Sequence, residues 1–292
     1  MDCVLSTYES CIRSSLAQRS FERFFPQFTV RSAASSCWEG GREAVMEAIV
    51  YFSFLLRPCS HYLQGAYAQL EIPPSPASAL PTTSSMIVFA HSKLDVATSS
   101  DLLKLMPIIV ASIQTGSALD EALAILLHGL EPLKPPPRLQ LPDTIIHPMF
   151  AILPTLSSTH PDPLVRHQAF RILSLVLSSC APQIRLQFLK DLATHPYFPQ
   201  MRVAAVGLIK EAVLCAISAA PTSNVFASST FLKVLGPVIL RASPPDLFAE
   251  PDLSIKAFKE SSEPARLIEC LGLYYTLLRR DTANMVPFLP LY

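Results

Sequence analysis

"HPDPLVRHQAFRILSLVLSSC", residues 160–180, opens with two prolines and then runs on without a break for about five turns at 3.6 residues each. Val165, Ala169, Ile172, Leu173, Val176 and Cys180 fall at i, i+4, i+7, i+8, i+11 and i+15, which is one face of an α-helix. His167, Arg171, Ser174 and Ser178 lie on a polar face. Moving 36 positions along the chain reaches "PQMRVAAVGLIKEAVLCA", residues 199–216. The same shift carries the apolar set to Met201, Ala205, Leu208, Ile209, Ala212 and Ala216, all apolar, and carries Pro163 to Pro199 and Arg166 to Arg202. These are two copies of one structural unit.

Between the copies stands "APQIRLQFLKDLATH", residues 181–195. Ile184, Phe188, Leu189 and Leu192 predict a shorter amphipathic helix, with Gln183, Gln187, Lys190 and Asp191 outside. One helix cannot bury its apolar face alone, whereas stacked helix pairs can. A two-helix repeat of this period is that of HEAT-like and armadillo-like solenoids. "DPLVR" (162–166) also matches the HEAT pattern of an Asp shortly before Val-Arg, although the second copy keeps Met-Arg without the Asp.

The rest of the chain has the same organisation. Gly is scarce (8 of 292 residues) and Pro abundant (27), clustered in "EIPPSPASALP" (71–81), "EPLKPPPRLQLP" (131–142) and "SPPD" (243–246). Proline ends helices and is tolerated in their first turn, so this punctuation separates helices. Apolar stretches lie at about 41–57, 59–70, 99–115, 117–130, 143–157, 163–180, 183–194, 199–219, 227–241 and 263–280. None combines strict alternation with β-branched residues, so no sheet is expected. The expectation is an all-α chain, a HEAT/armadillo-like α-solenoid of stacked helix pairs. N-terminal helices occupy 1–71, a Pro/Ser-rich linker or loop 72–85, and HEAT-like repeats 86–292, with the clearest repeat at 160–219.

Composition narrows the function. Half the residues are hydrophobic and 16% charged, which indicates an ordered chain. With 23 basic and 23 acidic residues there is neither net charge nor a dense Lys/Arg stripe, which argues against nucleic acid as a main partner. The most apolar stretches are interrupted by Glu47 and by Lys210 with Glu211 before they reach a membrane span. Seven scattered cysteines without a CxxC pair, and a start without a signal-peptide pattern, fit a reducing compartment: the cytoplasm, with the nucleus open as well.

No catalytic constellation emerges. GxGxxG after a strand, a Walker loop, HExxH and GxSxG are all missing, and no catalytic, cofactor-binding or metal-ligating residue is assigned. His160, His167 and His195 near Cys180 match no common zinc spacing, and two of them precede a proline in a turn. Asp162 reads as a helix cap rather than a general acid. Cys180 and Cys215 sit in helical apolar context and read as packing residues. Trp38 reads equally as an interface anchor or a packed residue, and "KPPPR" (134–138) as a stiff connection in preference to an SH3 ligand. In the repeat region Arg166, Arg171, Arg185, Lys190, Arg202 and Lys210 outnumber Asp191 and Glu211. They form either a basic face for an acidic protein partner or a solvated outer face in which Arg166 and Arg202 bond to neighbouring turns.

Residues 160–214 resemble the family of glomulin, the plant aberrant-root-formation protein and the fungal Yap-binding stress proteins. Arg166, Phe170 and Leu173 carry the resemblance in one helix, Arg185 and Leu189 in the next, and Arg202 with Ile209-Lys210-Glu211 in the third. The resemblance implies an all-helical, HEAT-like, non-catalytic adaptor. Glomulin-like members bind the RING-box subunit of cullin-RING ubiquitin ligases and mask its surface for the ubiquitin-conjugating enzyme. The yeast members bind an AP-1-like transcription factor and assist its oxidation in the oxidative stress response. Members of this family are longer, so the resemblance also implies a short form or an incomplete gene model. The ending "NMVPFLPLY" (284–292) then stands where a further helix or docking contact is expected.

Overall fold

The computed structural model describes residues 16–28, 82–92, 94, 99–130, 141–218, 224–242, 255–281 and 286. The stretches expected at 41–57 and 59–70, the linker up to residue 81, Trp38 and the 134–138 tract lie outside the described residues. Among the described residues there are eleven α-helices and no strand, so the chain is all-α. The helices are α1 (Leu16–Phe24), α2 (Thr83–Ser92), α3 (Ser99–Thr115), α4 (Leu119–Gly129), α5 (Asp143–Thr159), α6 (Pro163–Ser178), α7 (Pro182–Ala193), α8 (Pro199–Ser218), α9 (Ser229–Ile239), α10 (Ile255–Glu260) and α11 (Glu263–Arg280). Short 3-10 turns occupy Pro26–Phe28 and Val225–Ala227.

Prolines start α6, α7 and α8, where the missing N–H would have had no intrahelical acceptor. Four others, Pro107, Pro148, Pro154 and Pro237, stand inside helices. Each removes a backbone donor, and burial of the surrounding apolar faces outweighs that loss. The chain divides into two compact units, residues 1–176 and 177–292.

The first unit is organised around α4, which packs against α1, α2 and α3. Its residues from Glu121 to Gly129 are all buried, as a helix apolar on nearly every side requires. At Gly129 a Cβ would stand 3.2 Å from the Leu102 side chain of α3, so a larger residue there would require Leu102 to shift by a few tenths of an ångström. The turn into α4 uses left-handed backbone at Gly116 (φ 74°) and Ala118 (φ 48°).

The polar groups of α4 are tied in. The Asp120 carboxylate accepts from the N–H of Leu16 (2.7 Å) and of Ala17 (3.2 Å), so it caps the first turn of α1 across the fold. His91 Nε2 stands 3.2 Å from Glu121 Oε1, and His128 Nε2 3.0 Å from Ser20 Oγ. Phe24 meets the His128 ring edge-on at 4.9 Å.

In the second unit α8 packs most extensively on α11, while α7 contacts α8, α9 and the 225–227 turn. All six apolar positions of the second repeat copy are buried: Met201, Ala205, Leu208, Ile209, Ala212 and Ala216. In the first copy Ala169, Ile172, Leu173, Val176 and Cys180 are buried and Val165 is half-buried. Replacing Asp120→Ala removes the cap of α1 and is expected to cost about 1–2 kcal/mol. Hydrogen exchange should show faster exchange of the 17–24 amides with α9 and α11 unchanged; unchanged exchange in α1 would contradict the assignment of the cap.

Candidate functional site

The six basic residues singled out in the sequence divide between the two units. Arg166 and Arg171 belong to the first, and Arg185, Lys190, Arg202 and Lys210 to the second. Arg166 donates through Nη1 to the carbonyls of His160 (2.7 Å) and Pro161 (2.9 Å), so its charge fastens the turn before α6. That turn is built by its own residues. Asp162 Oδ1 accepts from the N–H of Leu164 (2.8 Å), capping α6, and His160 Nδ1 accepts from the N–H of Asp162 (3.1 Å). His195 has the same place before α8: its Nδ1 accepts from the N–H of Tyr197 (3.3 Å), and its ring stacks on Phe198 at 4.7 Å.

The Arg171 guanidinium lies over the Phe28 ring, 3.6 Å from its centroid, and that of Arg185 lies 5.7 Å from the Phe226 centroid. His167 sits between the Phe21 and Phe28 rings (5.0 and 6.3 Å). Burial, followed by the nearby Arg171 charge, pushes its pKa below the ordinary histidine value. Arg202 is half-buried. Lys190 on α7 and Lys210 on α8 have ammonium groups with no ion-pair or hydrogen-bond partner among the described residues.

α11 presents a surface that the charge pattern does not indicate. Its inner face buries Glu263, Arg266, Cys270, Leu273 and Leu277. Its outer face carries Ile268, Leu271, Tyr275 and Leu278, each between 59% and 67% exposed, with Tyr274 beside them. Their spacing, i, i+3, i+7 and i+10, is that of a continuous helix stripe. Beside it runs a groove of about 890 Å³ between α8 and α11, lined by Lys210, Leu214, Ile217, Tyr275, Arg279 and Arg280 among others. Tyr275 belongs to both the stripe and the groove. "RLIECLGLYYTLLRR" (266–280) has more apolar positions than one buried face needs, which is the one signal in the sequence that points to this surface.

The surface is held in place by Arg266, which is buried. Its Nε and Nη2 donate to the two Glu263 carboxylate oxygens (2.8 and 2.5 Å). Nη1 donates to the Val238 carbonyl (3.1 Å) and stands 3.6 Å from Cys270 Sγ, and Nη2 also donates to the Arg241 carbonyl (2.6 Å). All five guanidinium N–H groups are thereby used. One carbonyl acceptor, that of Val238, stands in the last turn of α9, where the helix itself supplies no donor, and the other, that of Arg241, lies just past the helix. The hydrogen bonds to Glu263 raise the Arg266 pKa against the opposing effect of burial. Burial has the opposite effect on Cys270, raising its pKa in spite of the Arg266 charge.

Among the described residues no group of three or more His, Cys, Asp or Glu side chains is arranged to hold a metal ion. None of the helices among them is long and apolar enough to cross a membrane. A family model described as "Uncharacterised protein family, YAP/Alf4/glomulin" matches residues 107–290, from within α3 to beyond α11. No curated protein and no solved structure matches the chain.

Replacing Arg266→Met removes the guanidinium donors from the buried Glu263 carboxylate and from the Val238 and Arg241 carbonyls. The expected loss is about 3–5 kcal/mol of unfolding free energy. Arg266→Lys is expected to recover little of it, because three ammonium donors cannot reach acceptors placed for a planar fork. Chemical denaturation measures both, and a loss under about 1 kcal/mol for Arg266→Met would contradict this role.

Proposed function

The chain belongs to the YAP/Alf4/glomulin family, and on that premise we propose that it is a non-catalytic protein-binding scaffold. Its helices stack as HEAT/armadillo-like pairs, and it acts as a glomulin-like regulator that binds the RING-box subunit of cullin-RING ubiquitin ligases. Bound there, it covers the surface that the ubiquitin-conjugating enzyme needs. We place it in the cytoplasm, with the nucleus open as a second compartment. The observation that carries this reading is the length of the family match, which takes in both repeat copies and the α8–α11 surface. Free ammonium groups on α7 and α8 support an interface with an acidic protein.

A second reading, an adaptor for an AP-1-like redox-sensitive transcription factor, draws support from one residue. Cys215 on α8, expected from the sequence to be a packing residue, is instead exposed, whereas Cys180 and Cys270 are buried. A thiol-exchange partner would need an accessible thiol. Native-state labelling that reacts at Cys215 and is blocked by the transcription factor would favour this reading.

Calorimetry of the purified chain against a RING-box–cullin C-terminal complex tests the first reading. Micromolar or tighter binding is expected, weakened about tenfold or more by Lys190→Glu with Lys210→Glu. These two are better probes than Arg166→Glu, which would also break the turn before α6. No binding by a folded, helical sample would refute the RING-box reading.

A further inference from the structure

The outer face of α11 and the adjoining groove combine two features seldom left open together. Ile268, Leu271, Tyr275 and Leu278 form an apolar stripe spanning eleven residues, about 15 Å of helix. Where the stripe meets the groove stand three cations, Lys210 from α8 and Arg279 and Arg280 from the last turn of α11. None of the three has an ion-pair or hydrogen-bond partner among the described residues. Besides the buried Glu263, three carboxylates lie along these helices: Glu211 next to Lys210, Asp281 directly after Arg280 and already accepting from the Val286 N–H, and Glu269 near the other end of the stripe. The stripe is therefore apolar along its length and cationic at its C-terminal end.

We propose that this surface docks an amphipathic helix of a partner protein, about three turns long, with apolar residues at heptad spacing and carboxylates at the end that meets Lys210, Arg279 and Arg280. Helix geometry follows from the stripe. Residues at i, i+3, i+7 and i+10 along a straight helix offer holes to the knobs of a second helix lying beside it, as in coiled-coil and helix-in-groove recognition. Charge complementarity sets the sign of the partner and its direction along α11, since a reversed helix would leave its carboxylates away from the three cations. A second copy of this chain fits less well. Pairing α11 with itself leaves Lys210 unmet. The inference holds whichever protein supplies the helix, so it stands apart from the RING-box reading.

The test uses the full chain and a designed, fluorescein-labelled 18-residue peptide with Leu and Ile at heptad a and d and Glu at the positions nearest one end. A counterpart carries Lys in place of Glu. Anisotropy titrations are expected to show the Glu peptide binding at least tenfold more tightly than the Lys peptide, with affinity falling as salt rises. Leu271→Ser and Leu278→Ser, both at exposed positions, should each lower affinity at least fivefold without changing the thermal transition. Arg279→Glu should remove the preference for the Glu peptide. Equal binding of both peptides, or affinity untouched by Leu271→Ser, would overturn the proposal. So would light scattering showing a dimer that the peptide cannot displace, which would make a second copy the occupant.

Discussion

A single buried guanidinium fixes the geometry on which the candidate surface depends. Arg266 lies on the inner face of α11, and its five donors reach Glu263, Cys270 and two carbonyls, Val238 in the last turn of α9 and Arg241 just past it. The Val238 carbonyl belongs to a helix end that has no donors of its own, so the arginine both satisfies it and ties α9 to α11. The cation is stabilised within its own helix by Glu263, three residues earlier. A buried ion pair of this kind contributes little net stability compared with apolar packing, but breaking it on one side is costly. Its effect here is positional. With Arg266 fixed, the inner face of α11 is fixed, and Ile268, Leu271, Tyr275 and Leu278 point outward.

The first unit uses the same device in different chemistry. α4 is buried from Glu121 to Gly129, and its charged and polar groups reach outward to α1 and α2 through Asp120, Glu121 and His128. Carboxylates and imidazoles inside an apolar helix specify which neighbours can pack there, because any other arrangement leaves them without partners. Each unit therefore combines an unspecific apolar core with a few polar contacts that select one packing.

The repeat helices were legible in the sequence because periodicity and proline say the same thing there. Pro163, Pro182 and Pro199 open α6, α7 and α8, and the six apolar positions shared by 36-residue translation are buried in the second copy. Three helices were not read out. α1 has Ala17, Phe21 and Phe24 at i, i+4 and i+7, but its cap is Asp120, more than a hundred residues away. α2 is a short apolar run, buried from Ser85 to His91, and complete burial erases the alternation of faces that marks a helix. α10 has six residues, too few to show a period. The basic residues were visible as a set, but not which of them are engaged: Arg166 and Arg171 serve a turn and an aromatic ring, while Lys190 and Lys210 remain available. The α8–α11 groove could not be found by spacing, because it forms only when two helices more than forty residues apart are packed together.

Ubiquitin transfer by a cullin-RING ligase, followed with increasing amounts of the folded chain, tests the functional account most directly. Dose-dependent inhibition, relieved by Lys190→Glu with Lys210→Glu, is the expected result. Transfer that continues at full rate in the presence of a saturating, folded sample would contradict it.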